Sequence, residues 1–117
     1  MKRGFRLTRS TDIKRVRRGR SFAHPLVVLV IAPNEIGRTR MGVVAGHRVG
    51  GAVQRNRAKR RIRAVLHDLH PSIRPGYDMV LIARQPIVEA AFQDVHDVLT
   101  GLVKRAGLLV WDGMDRG

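Results

Sequence analysis

Two spacings of apolar residues alternate along the chain and lay out its elements. The run LVVLVIA, Leu26 to Ala32, is short, β-branched and stopped by Pro33-Asn34, which predicts a buried strand. Arg38 to Gly46 reads as a second long strand, and YDMVLIAR, Tyr77 to Arg84, as another that Pro86 closes. A short extra strand near Ser21 fits between them. Pro71, Pro75 and Gly76 mark the loop ahead of the Tyr77 strand. Elsewhere the period lengthens. Ala58, Ile62, Val65, Leu66 and Leu69 recur at i, i+4, i+7, i+8 and i+11, a narrow stripe on a helix from Ala52 to Leu69. Val88, Ala91, Phe92, Val95, Leu99, Leu102 and Val103 keep helical spacing between Ile87 and Arg105, across the weak helix former Gly101. Ser10-Thr11-Asp12 supplies a cap for a short helix running to Arg18, with Gly19 ending it. Residues 1–9 read as an exposed or loosely held basic arm, and residues 108–117, which include Trp111, as a tail.

Charge changes the meaning of the Ala52 helix. From Arg55 to Arg63 there are six basic side chains in nine residues and no acid. With Ile62 at the centre of the stripe, Arg57, Arg60 and Arg61 lie on the far side, and Asn56 and Arg63 flank one edge. Arg55 and Lys59 sit nearer the stripe, so their stems pack while their heads reach outward. A merely solvated helix face is normally mixed in sign, because i,i+4 ion pairs stabilise it. Here like charges crowd together. The glycines at 46, 50 and 51 precede this helix, where its free N–H groups add further positive potential.

The whole chain follows the same trend. Its 117 residues suit one domain, and an apolar fraction of 44% suits a folded core. A formal net charge of +14 opposes compaction and is most simply explained by a polyanionic partner, nucleic acid before membrane. With no cysteine, disulfides, thiolate zinc sites and cysteine nucleophiles are excluded, and a reducing cytoplasm fits. The apolar runs are too short to span a bilayer. Hydrolysis of a phosphodiester needs clustered carboxylates for metal ions or a placed acid–base pair. The nine acids read mostly as helix-surface, cap or tail residues, and His67 and His70 suit a helix end. The reading is of no catalytic residue and no metal site in the chain.

The stretch TRMGVVAGHRVGGAVQRNRAKRRIRAVL, Thr39 to Leu66, resembles the protein subunit of bacterial ribonuclease P, with Arg55-Asn56-Arg57, Lys59 and Arg60 as its signature. YDMVLIARQP, Tyr77 to Pro86, and RLTRSTDIKRV, Arg6 to Val16, continue the resemblance over about nine-tenths of the chain. It implies a two-layer α/β (α+β) sandwich of order αβββαβα, a mixed sheet packed by helices. It also implies a left-handed crossover from the Arg40 strand to the Tyr77 strand, where pattern alone predicts a right-handed one.

By the same resemblance the chain is the monomeric protein subunit, one copy per catalytic RNA, of a cytoplasmic enzyme that removes the 5′ leader of precursor tRNA. The RNA cleaves and binds the magnesium the holoenzyme requires. The implied ribozyme-binding surface is Arg55, Asn56, Arg57, Lys59, Arg60 and Arg63. The implied leader cleft is the sheet face beside the first helix, with Ile13, Arg17, Val30, Arg40, Gly42, Val44, Gly46 and Arg48. Ile13, Arg17 and Val30 stand where the family often carries aromatics, and Gly51 where asparagine is common. A ribosomal protein would share the size and charge but lack the ordered GGAVQRNRAKRR block. A helix-turn-helix protein would need a second helix where Pro71 to Gly76 leads into a strand. A membrane-surface protein would need bulky apolar residues beside the basic face.

Binding of the chain to structured RNA is therefore expected to weaken steeply with salt, each neutralised phosphate contributing about −0.9 to the log–log slope. A flat response in a salt titration would show that the cations are only solvated.

Overall fold

Seven elements follow one another in the computed structural model, which describes residues 6–110. They are α1 (Ser10–Val16), β1 (Arg20–Ala23), β2 (Val27–Pro33), β3 (Arg40–Val44), α2 (Ala52–Leu69), β4 (Tyr77–Ala83) and α3 (Phe92–Arg105). The strands form one mixed sheet in the order β1-β2-β4-β3. β2 runs antiparallel to β1 and β4, whereas β3 and β4 are parallel and joined through α2. The expected αβββαβα order and α+β sandwich are what the structure shows.

Each sheet face has its own core. On one face Leu29, Ile31, Met41, Met79 and Leu81 pack with Ala58, Ile62, Val65 and Leu66 of α2 and Val95, Leu99, Leu102 and Val103 of α3. The α2 stripe thus faces the sheet over the span its spacing predicts. On the other face Val16 of α1 and Leu7 pack with Val30, Ala32 and Val80.

Several boundaries differ from expectation. α1 ends at Val16, and Ser10 is its first helical residue; Arg9 holds the cap position, with no side-chain cap bond. α3 begins at Phe92, because Pro86 opens a 3-10 turn over Gln85–Glu89 and Ala90 and Ala91 are extended. The Ala90 carbonyl accepts a hydrogen bond from Arg61 Nη1 at 2.8 Å. The arm is pinned from residue 6 onward. Arg6 bridges Met41, the Leu7 N–H donates to the Met41 carbonyl at 2.7 Å, and Leu7 is buried. This needs glycine at position 42, where a Cβ would sit 2.8 Å from the Leu7 carbonyl oxygen. The start of the tail docks too: Leu108 is buried, and Val110 N–H donates to the Ser72 carbonyl at 2.8 Å. Trp111 and residues 1–5 lie outside the described residues.

One acid departs from the surface role read for most of them. Asp78 on β4 is fully buried. Arg40 from β3 donates to it in a bidentate way, Nε to Oδ1 at 2.9 Å and Nη2 to Oδ2 at 2.8 Å. Asn34 Nδ2 donates to Oδ1 at 2.9 Å, and Arg15 of α1 donates to Oδ2. Asp12 lies 3.9 Å from both arginines. Burial alone would push the Asp78 carboxyl up, but the hydrogen bonds from Arg40, Asn34 and Arg15 outweigh it and hold it below its ordinary value.

The depressed value sets the sign of a pH effect. The stabilisation is fully present above the ordinary carboxylate pKa and is lost as pH falls through the folded one. Asp78→Asn is expected to cost about 3 kcal/mol, since it leaves partly buried arginines unpaired, and to flatten the stability profile below about pH 4. Urea unfolding at a series of pH values checks both; an unchanged acid limb would show that Asp78 is not the titrating group.

Candidate nucleic-acid interface

Register places three rows of side chains across the α1 face of the sheet. The first is Ala32–Asp78–Arg40, the second Val30–Val80–Gly42, and the third Val28–Ile82–Val44. Arg15 ties α1 to the first row, and Val16 and Leu7 lie with the second. α1 is only seven residues long, and the third row remains partly exposed beyond it. That row floors an open depression of about 650 Å³. Arg17, which caps the C-terminus of α1, lines it with Gly46, His47 and Arg48 from the end of β3 and with Arg84 and Gln85 from the end of β4. No acid lines it.

The structure thus brings together four of the expected cleft residues, Arg17, Val44, Gly46 and Arg48. It does not bring in the others. Val30 is only 3% exposed, and Gly42 is covered by Leu7. Arg40 is committed to Asp78. Ile13 packs on the α1-face core and lines a separate recess with Arg6, Leu7 and Arg63. The expectation opened the whole length of the Arg40 strand, whereas α1 and the arm cover all but its end. Sequence reasoning missed Val28, Ile82, His47, Arg84 and Gln85. Period-two counting back from Val30 finds Val28, and counting on from Val80 finds Ile82.

On the opposite face, α2 turns its cations outward around the buried stripe. Asn56, Arg57 and Arg60 are exposed, and Arg55, Lys59 and Arg63 are half-buried. Arg61 does not belong with the outward set. It lies about 100° round the helix from Ile62, on the side where the Gln85–Glu89 turn packs, and is half-buried in its bond to Ala90. Burial, and then the nearby Arg6 guanidinium, hold Arg63 below the ordinary arginine value. Arg55 Nε is buried without a hydrogen-bond partner among the described residues. Before the helix, Gly50 has φ +148°, a value that favours glycine, whereas Gly46 has ordinary backbone and open space around it. A short 3-10 turn, His47–Val49, joins the cleft to the start of α2, so the two basic surfaces meet at one end of the molecule.

A mixed four-stranded sheet, a depression on one face with no acid among its described lining residues and a cation-covered helix on the other define a small basic α+β protein. The ribonuclease P family model matches residues 1–107, and the chain belongs to the ribonuclease P protein family. It is 44% identical to the ribonuclease P protein component of Chloroflexus aurantiacus over 93% of this chain and 82% of that protein. It is 39% identical to that of Symbiobacterium thermophilum over 97% of this chain and all of that one. Among solved structures, the Staphylococcus aureus RNase P protein superposes with a TM-score of 0.82 at 29% identity, covering 90% of this chain and 97% of that one. The Thermotoga maritima RNase P protein gives 0.78 at 28% identity, over 86% and 96% of the two chains.

Arg57→Ala and Arg60→Ala remove exposed cations and leave Ile62, Val65 and Leu66 untouched. Thermal stability is expected to hold while affinity for the ribonuclease P RNA falls by about 1–3 kcal/mol for each. Fluorescence titration beside a thermal melt checks this; unchanged affinity would remove the outer α2 face from the interface.

Proposed function

We propose that this chain is the RNA-binding subunit of a ribonucleoprotein that removes the 5′ leader of precursor tRNA, gripping the catalytic RNA with α2 and the leader with the depression beside α1. The observation that carries this reading is the presence of two cationic surfaces on a chain of net charge +14, one on each side of a single sheet. In the depression, Arg17, Arg48 and Arg84 supply guanidinium groups that pair with phosphate in a bidentate way. The apolar floor of Val28, Ile82 and Val44 meets sugars and bases. A floor without aromatic rings contributes little stacking, so contact there is insensitive to base identity. On the other face, the exposed α2 cations offset the repulsion between two polyanions held close together.

Among the described residues no three His, Asp or Glu side chains gather into a cluster that could hold a metal ion. In this reading the RNA holds the magnesium and performs the cleavage. The protein acts as a monomer, one per catalytic RNA, in the cytoplasm. No helix among the described residues is long and apolar enough to cross a membrane.

Reconstitution with ribonuclease P RNA tests the assignment. RNA-free protein is expected not to cleave precursor tRNA, and adding it to the RNA is expected to restore cleavage at low magnesium. Val44→Glu sets an anion in the cleft floor and should weaken precursor tRNA binding at least about tenfold, with mature tRNA binding and RNA assembly unchanged. Equal losses for precursor and mature tRNA would show that the leader does not run there.

A further inference from the structure

Arg84 and Pro86 line a second depression as well as the first. Its volume is about 370 Å³, and Ala23, His24 and Pro25 of the β1–β2 turn complete it. Again no acid among the described residues lines it. The His24 Nδ1 accepts the Leu26 N–H at 3.0 Å, which leaves Nε2 as the ring's donor. On the far rim, Arg105 Nη1 donates to the Ala23 carbonyl at 3.3 Å. The same guanidinium lies 6.0 Å from the Phe22 ring centroid, and Arg20 lies 5.3 Å from it. Arg17 and Arg48 flank the first floor, Arg84 stands between the two depressions and Arg105 reaches Ala23 beside the second, so cations alternate with apolar floors along this end of the sheet. Such alternation suits a single-stranded nucleic acid, whose phosphates repeat along the chain with bases and sugars between them.

We propose that the strand-binding surface of the cleft continues over Arg84 into this second depression, which takes further nucleotides of the same single-stranded RNA. Arg84 holds the phosphate between the two compartments. Pro25 and Pro86 offer apolar surface to a sugar or base, His24 Nε2 donates to an acceptor on the nucleotide, and Arg105 supplies charge beside Ala23. The inference rests on the cleft reading above and extends it to leader nucleotides that lie beyond the first compartment.

The test is a leader-length series in the reconstituted holoenzyme, with leaders shortened one nucleotide at a time. Precursor affinity is measured for the unaltered protein, Ala23→Glu and Val44→Glu. Ala23 is exposed and its side chain makes no hydrogen bond, so Ala23→Glu adds an anion without removing a structural contact; far-UV circular dichroism confirms the fold. Ala23→Glu is expected to match the unaltered protein on short leaders and to lose about fivefold or more on long ones, the size of one contact to a single-stranded nucleotide. Val44→Glu is expected to lose affinity at every leader length. If Val44→Glu weakens binding and Ala23→Glu does not at any length, the second compartment is refuted and the cleft stands. If Ala23→Glu weakens all leaders and mature tRNA alike, the effect is one of general charge and the proposal fails. If Val44→Glu binds every leader as the unaltered protein does, the cleft reading fails and this one with it.

Discussion

The buried carboxylate of Asp78 is the contact on which the α1 face depends. A seven-residue helix without a side-chain cap is marginal alone, since so short a segment does not repay the cost of nucleation. Val16 gives it apolar burial, but burial is non-directional and does not choose where along the sheet the helix lies. Arg15 does, because its guanidinium reaches a carboxylate fixed by Arg40 from the neighbouring strand and by Asn34 from the loop beyond β2. With α1 anchored over the first row and packed on the second, the third is left partly open. The cleft is thus what remains of the sheet face once Asp78 has placed the helix.

The second constraint is charge. A chain of net charge +14 must fold against its own repulsion, and it does so by separating functions on a single helix. One face of α2 is core, with Ile62, Val65 and Leu66 at 0% exposure. Some cations are spent structurally: Arg61 closes the Ala90 carbonyl, and Arg40 and Arg15 neutralise Asp78. Others stay outward on Arg57 and Arg60, or crowd against a like charge, as Arg63 does beside Arg6. Pairing at the Asp78 cluster and congestion elsewhere are consistent with a surface held ready for phosphate, and they explain why basic residues of one type do different work.

Much of this was legible in the chain itself. The α2 stripe predicts the helix over the residues it occupies, because helical periodicity is a local property and needs no partner to be read. The three long strands, the order of elements and the polyanion-seeking charge are local in the same sense, and the Arg55-Asn56-Arg57 block carried the family. What only the tertiary structure decided is which half of each strand is covered. β3 and β4 pair in parallel across a long connection, so the juxtaposition of Val28, Ile82 and Val44 exists only after folding. Asp78 looks like any strand-edge acid until Arg40 and Arg15 arrive from 38 and 63 residues away. Gly42 looks like an open position until Leu7 lies over it. Periodicity tells which side of an element is apolar; what lies against that side is set by contacts distant in sequence, and those leave no local pattern to read.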